Sequence, residues 1–411
     1  MTSMIVQPEN RAILMLGAGT IALSGLLVLL RLPRIALPPG GGWALTLNLL
    51  ALLSALWSPL PELTLKRAAG LSGATLIAIH LYSVYRWRDI ERGLVWTCSG
   101  LVVVTAVIAL VLPGYAYHQP GEFYAEHAGM LRGSYVHKNS LARILTFALV
   151  VIVCLGPRTF RKRRVSAGLA VATLFLIGMT GSATALVTLP AAFGTSWLLF
   201  RARSLPGRIF MLAAVGYVVV LISASGIDEW LRGTLLEGLG RDATMSGRTL
   251  IWQSAIDYTF KRNQWLLGGG YETAWQAGIG DYVQSRITFN PGHPHNGYIA
   301  LFNQIGILGL IIAALHLTRC FWRILRQADP VGLRLSRFSM TWLILFVANN
   351  SAGSYFMQAM DIYWVIILLT PALGHWARRD DGMALTKVRA CETRSATPAG
   401  LQRPAIVRRP A

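Results

Sequence analysis

Apolar runs of about 15 to 20 residues alternate with short polar stretches along most of this chain. A helix rises about 1.5 Å per residue, so about 20 such residues cross the hydrocarbon layer of a bilayer. The pattern predicts spanning helices over 13–30, 43–57, 68–85, 94–112, 139–156, 165–181, 183–200, 209–224, 296–317, 338–349 and 361–376. That makes about eleven, and a missed or half-length span makes about twelve; 43–57 and 338–349 are short. The expected fold class is an all-α integral membrane protein, a helix bundle with one large, partly helical loop outside the membrane. Its parts are residues 1–224 with the N-terminal helices, 225–294 as the loop, 295–376 with the C-terminal helices, and a disordered cytoplasmic tail at 377–411.

Composition supports the pattern. Of 411 residues, 54% are hydrophobic and 14% charged, whereas a soluble domain carries about a quarter charged residues. The net charge of +20 raises nucleic acid as a partner, but its placement argues for topology instead. Arg86, Arg88 and Arg92, then residues 158–164, then Arg201, Arg203 and Arg208, then Arg319 to Arg337 all fall between spans. Threading the chain back and forth puts these clusters on one side, and short Lys/Arg-rich segments stay cytoplasmic. An eleven-span chain starts outside and a twelve-span chain inside. Residues 1–10 lack the basic start of a cleavable signal, so 13–30 is expected to remain as a span. The four cysteines show no paired or metal-binding spacing.

Three polar groups are placed by this threading on the outer side. In the long loop, residues 248–261 carry apolar positions at helical spacing, expected as an amphipathic interfacial helix with Ser246 as its N-cap. Arg248 then stands at a helix N-terminus, where the dipole favours an anion and a guanidinium grips phosphate with two parallel bonds. Snorkelling to lipid headgroups is the competing reading. His293, His295, Asn296 and Tyr298 precede the next apolar run. A neutral His295 at a helix start is suited to accept a proton from a hydroxyl. A plain interfacial histidine and a metal held by His293 and His295 are the alternatives, the latter weakened by the lack of a nearby acidic or Cys ligand. The third group is His137, Lys138 and Asn139 at a re-entry point, with Asn139 as a helix cap and Arg143 one turn into the span. Snorkelling and capping compete there, although an ionisable residue inside a span usually faces the bundle interior. Asp361, at the last outer boundary, is a further candidate to line the same cavity. Gly268, Gly269 and Gly270 form a turn without the dinucleotide-binding pattern.

The order of these motifs resembles the O-antigen ligase and polysaccharide polymerase superfamily of envelope glycan enzymes. It is carried by Ser246, Gly247, Arg248 and Trp252; by Trp265, Leu266, Leu267 and the three glycines; by His293, His295, Asn296 and Tyr298; and by Gly306 and Gly309. The earlier Gly133, Tyr135, His137, Lys138 and Asn139 are closer in form to exopolysaccharide polymerases. Ligases of the family usually carry an arginine after the serine of the tight outer turn, where this chain has Ser182 and Ala183. That phosphate contact is either absent or supplied by Lys138 or Arg143.

The resemblance implies a metal- and cofactor-independent glycosyltransferase of the bacterial inner membrane, active on its periplasmic face. Its donor would be an undecaprenyl-diphosphate-linked glycan and its acceptor a glycan or lipid A-core hydroxyl, with no nucleic acid as partner. Arg248 and His295 are the expected catalytic pair. Lys138, Arg143, His137, His293, Asn296 and Trp252 are expected to hold diphosphate or sugar. A strict lipid A-core ligase and a transporter of polysaccharide intermediates are the alternatives. The transporter is disfavoured because the predicted mid-membrane stretches are apolar and the polar groups lie outside.

Overall fold

A computed structural model describes residues 26, 30, 35–122, 127–202, 204, 207, 245–287, 291–328, 332–351, 353–359 and 361–379. Among these residues the protein is helical, with one isolated bridge between Tyr117 and Leu131 and no strand. The principal helices are α1 (Gly41–Leu53), α2 (Pro61–Val84), α3 (Trp87–Val111), α4 (Lys138–Cys154) and α5 (Arg163–Met179). They continue with α6 (Ala183–Arg201), α7 (Met245–Lys261), α8 (Gly297–Arg326), α9 (Leu333–Asn350) and α10 (Ile362–Leu369). The expected spans at 209–224 and, apart from Leu26 and Leu30, at 13–30 lie outside the described residues.

Nine of the expected runs coincide with helices, and α3 and α8 are each long and apolar enough to cross a membrane. Helix α4 sits at the centre. Every residue from Leu145 to Ile152 is buried, as a stretch enclosed by neighbouring helices on all sides requires. Helices α3, α5, α6 and α9 surround it. Helix α10 is equally enclosed and packs on α2. The indole of Trp364 on α10 and the amide of Asn48 on α1 both reach the Thr75 hydroxyl on α2, each at 2.8 Å. These bonds satisfy polar groups that have no water to turn to. By contrast α3 and α5 expose Trp96, Leu110, Val171 and Phe175, as helices facing lipid tails would.

Residues 245–287 fold on themselves. Ile251 and Ala255 of α7 bury against Ala274, Ile279 and Val283, forming a small core apart from the main one. Helix α7 begins at Met245, so Ser246 lies in its first turn rather than ahead of it as an N-cap. Residues 377–379, expected in a disordered tail, are helical, and Arg379 donates to the Tyr82 carbonyl at 2.9 Å.

Helix α8 is broken. Ile305 leaves helical geometry and Gly306 adopts φ 70° and ψ −170°, a region essentially reserved for glycine. The break would strand backbone groups in an apolar setting, and the Trp265–Gly270 stretch satisfies them. Gly269 and Gly270 N–H donate to the Asn303 and Gln304 carbonyls at 2.8 and 3.0 Å, while Ile307 and Leu308 N–H donate to Trp265 and Leu266 at 2.9 and 3.3 Å. A Cβ on Gly306 would stand 2.1 Å from the Leu266 oxygen, and one on Gly268 2.3 Å from Gln304 backbone. Two of the family-like motifs are therefore one structural joint.

Candidate active site

Asn296 caps α8, its side-chain oxygen accepting from Tyr298 and Ile299 N–H at 2.9 and 3.2 Å. The carboxamide oxygen expected on substrate is thereby engaged in starting the helix. His295, immediately before it, has φ 52°, an uncommon left-handed conformation for a side chain of its size. Its N–H donates to His293 Nδ1 at 3.1 Å, and its Nε2 lies 3.2 Å from the Pro291 carbonyl. A carbonyl only accepts, so Nε2 carries the proton and Nδ1 keeps the lone pair. Burial, then His293, then Arg248 lower the imidazole pKa from 6.5 to about 3. His293 is lowered in the same sense by burial and by Arg248. The pair is neutral at physiological pH, and the guanidinium is close enough to oppose a positive charge on either ring.

Trp252, one turn along α7 from Arg248, is anchored to the histidine loop through its indole N–H. The bond ties two of the motifs together.

The α4 end adjoins this pair. His137 caps the helix, Nδ1 accepting from Asn139 N–H at 3.1 Å, so the cap is His137 and not Asn139. His137 also disfavours protonation of His295. Its ring meets those of His118 and His127 at centroid distances of 5.8 and 5.1 Å. Lys138 is buried at 2% exposure, and its ammonium lies 3.4 Å from the Gly181 carbonyl. That carbonyl belongs to the tight turn where the family's ligases carry an arginine. Lys138 brings a cation there from another helix.

Arg143 is engaged differently. It pairs with Asp361 at 3.3 Å and lies over the rings of Tyr355 and Tyr363, 4.2 and 4.7 Å from their centroids. Asp361 also caps α10 by accepting from Tyr363 N–H. Burial raises the Tyr355 phenol pKa, against the pull of Arg143 and Arg248. Tyr355 thus feels both arginines, and no sequence signal marked it. Glu272, at φ 53°, is half-buried with its pKa raised by desolvation and accepts from Ala359 N–H at 2.9 Å. It joins the glycine turn to the loop that bears Tyr355.

Arg248, His293 and His137 therefore each lie within electrostatic reach of His295, with Lys138 beginning the helix His137 caps and Arg143 reaching the group through Tyr355. Such a set can hold an anion and take up a proton from a hydroxyl.

A family profile described as O-antigen ligase matches residues 168–314, from α5 past the break in α8. Over that stretch the chain is similar to O-antigen ligases. It is also 26% identical over 355 residues to the exopolysaccharide production protein ExoQ of Rhizobium meliloti (strain 1021), an alignment covering 80% of this chain and 77% of the relative. The profile includes Arg248, His293 and His295 but not the α4 end.

Proposed function

We propose that this protein is a membrane glycosyltransferase of the O-antigen ligase and polysaccharide polymerase superfamily that lengthens an exopolysaccharide. It would join a glycan carried on undecaprenyl diphosphate to the hydroxyl of a second glycan at the periplasmic face of the inner membrane. The observation that carries this reading is the half-buried, neutral His295 within reach of the Arg248 charge. In the reaction the acceptor oxygen bonds to the anomeric carbon as the bond from that carbon to the diphosphate oxygen breaks. The acceptor proton passes to His295 Nδ1, and the diphosphate leaves as an anion against Arg248, with Lys138 assisting. A ring with a pKa of about 3 is a weak base, but an arriving diphosphate offsets the neighbouring positive charge and strengthens it. Base strength is thereby coupled to donor binding.

Polymerisation is favoured over transfer to lipid A-core by two observations. The ligase arginine is replaced by Ala183, and the curated relative is described as an exopolysaccharide production protein. Under this reading the bundle has about eleven or twelve spans, with residues 225–294 outside and the basic clusters inside.

The break in α8 favours a second reading, since transporters use discontinuous helices. Here the backbone groups freed by the break are bonded to residues 265–270 rather than presented to an ion. Purified protein in vesicles with a carrier-linked repeat unit separates the two. New glycosidic bonds support the enzyme, while movement of glycan without bond formation overturns it.

A further inference from the structure

At the other end of α6 and α9 from His137 and Lys138, a cavity of about 350 Å³ is lined by Trp197, Phe200, Arg201 and Arg337. The two helices are held together along their length, with the Thr188 hydroxyl 3.1 Å from Asn349 at one end and the Ser196 hydroxyl 3.5 Å from the Arg337 carbonyl at the other. The separation from the candidate active site is about 25 Å, given 1.5 Å per helical residue. The cavity takes no part in the proposed transfer.

Its two guanidiniums differ from their neighbour. Arg334, one turn before Arg337, forms a two-pronged ion pair with the buried Glu91 at 2.5 and 2.8 Å. Arg201 and Arg337 have no acidic partner among the described residues; Arg201 instead lies over the Trp197 ring, 5.7 Å from its centroid. Two cations converging on one hollow repel each other unless an anion lies between them. Paired arginines suit the several oxygens of a phosphate.

We infer that this cavity binds the phosphate headgroup of an anionic glycerophospholipid. A phosphate could also arrive on a soluble molecule, but the wall beside the cavity favours lipid. Leu186, Phe193 and Trp197 recur seven and then four residues apart, so they form one stripe along α6. Leu186 and Trp197 are 46% and 56% exposed. An acyl chain can lie along that stripe while its headgroup reaches the arginines, with Trp197 at the interfacial depth favoured by indole rings. Basic pockets between helices near the cytoplasmic surface bind anionic headgroups on the same principle.

The test uses the full chain purified in a neutral detergent. Dioleoylphosphatidylglycerol is compared with dioleoylphosphatidylcholine, glycerol 1-phosphate and inorganic phosphate, reading lipid retention by native mass spectrometry and the midpoint of thermal unfolding. Phosphatidylglycerol should be retained and should raise the midpoint, the other three having little effect. Arg201→Gln with Arg337→Gln should lower retention about tenfold or more, while Arg161→Gln with Arg164→Gln leaves it unchanged. Equal retention of phosphatidylcholine by the wild-type protein overturns the inference without any variant. So does undiminished phosphatidylglycerol binding in the Arg201/Arg337 pair. Equal binding of the two soluble phosphates overturns the lipid assignment.

Discussion

Trp252 Nε1 donates to the Pro294 carbonyl at 2.8 Å, tying the helix that carries Arg248 to the loop that carries His295. Chain segments more than 40 residues apart are set against each other by this bond, and the unusual backbone of His295 needs such a constraint to persist. Trp252→Phe keeps the packing and removes the donor, costing about 1 kcal/mol of stability. Polymer synthesis should fall much further than protein level, because misplacing a reacting group by about 1 Å can cost about 10²-fold. Unchanged glycan output from Trp252→Phe would show that the loop is held by other means.

Arg248→Ala is expected to lower the rate by about 10² to 10³-fold, the scale for losing one group that stabilises transition-state charge. His295→Ala is expected to lose about 10² to 10⁴-fold, the usual contribution of a general base. Both proteins should insert normally, since neither side chain is part of the main core. Wild-type polymer from either variant sinks the proposed reaction.

The sign of the pH effect follows from the lowered pKa. An unfolded histidine takes up a proton below about 6.5, while His295 in the folded protein remains neutral down to about 3. The unfolded state binds more protons in that window, so stability falls as pH drops from 6.5 towards 3. His293 adds in the same direction. His295→Gln should flatten this dependence, measured as thermal midpoints at pH 7 and pH 5. In kcat/KM, which reports the protein without bound donor, no acid limb from His295 should appear near 6.5. A limb there that vanishes in His295→Gln would overturn the description of a desolvated, neutral ring.

Much of the helical framework was legible because length and apolarity alone specify it. The ends were not. Helix α3 starts at Trp87 rather than at 94, because Arg88, Asp89, Glu91 and Arg92 continue the helix beyond the apolar stretch that hydropathy detects. The break in α8 left no trace either, since Ile305 and Gly306 keep the run apolar while the chain departs from the helix. Asn139 looked like a cap, yet an imidazole nitrogen accepts an N–H as well as a carboxamide does, and His137 stands at the position where the helix begins. Arg248 and His295 were visible as residue types at helix starts. Tyr355 was not, because its place between Arg143 and Arg248 comes from tertiary packing in a loop with no periodicity.

The two basic residues of α4 should separate by phenotype. Arg143 is paired with Asp361, which is nearly enclosed, so Arg143→Gln strands a buried carboxylate. Losing one partner of such a pair costs about 3 to 5 kcal/mol, and the expected result is a lower thermal midpoint and less protein in the membrane. Lys138 touches two neutral groups, the backbone carbonyl of the Gly181 turn at 3.4 Å and the Met130 sulfur at 2.6 Å. Lys138→Met should therefore leave the protein level near wild type while reducing polymer. Lys138→Arg should restore part of the output, because a cation at that turn is what the proposed diphosphate contact requires. Quantitative blotting of membranes alongside glycan size analysis distinguishes the outcomes. Full polymer from Lys138→Met would leave Arg248 without its proposed helper, and a stable, well-inserted Arg143→Gln would show that Asp361 is satisfied without the arginine.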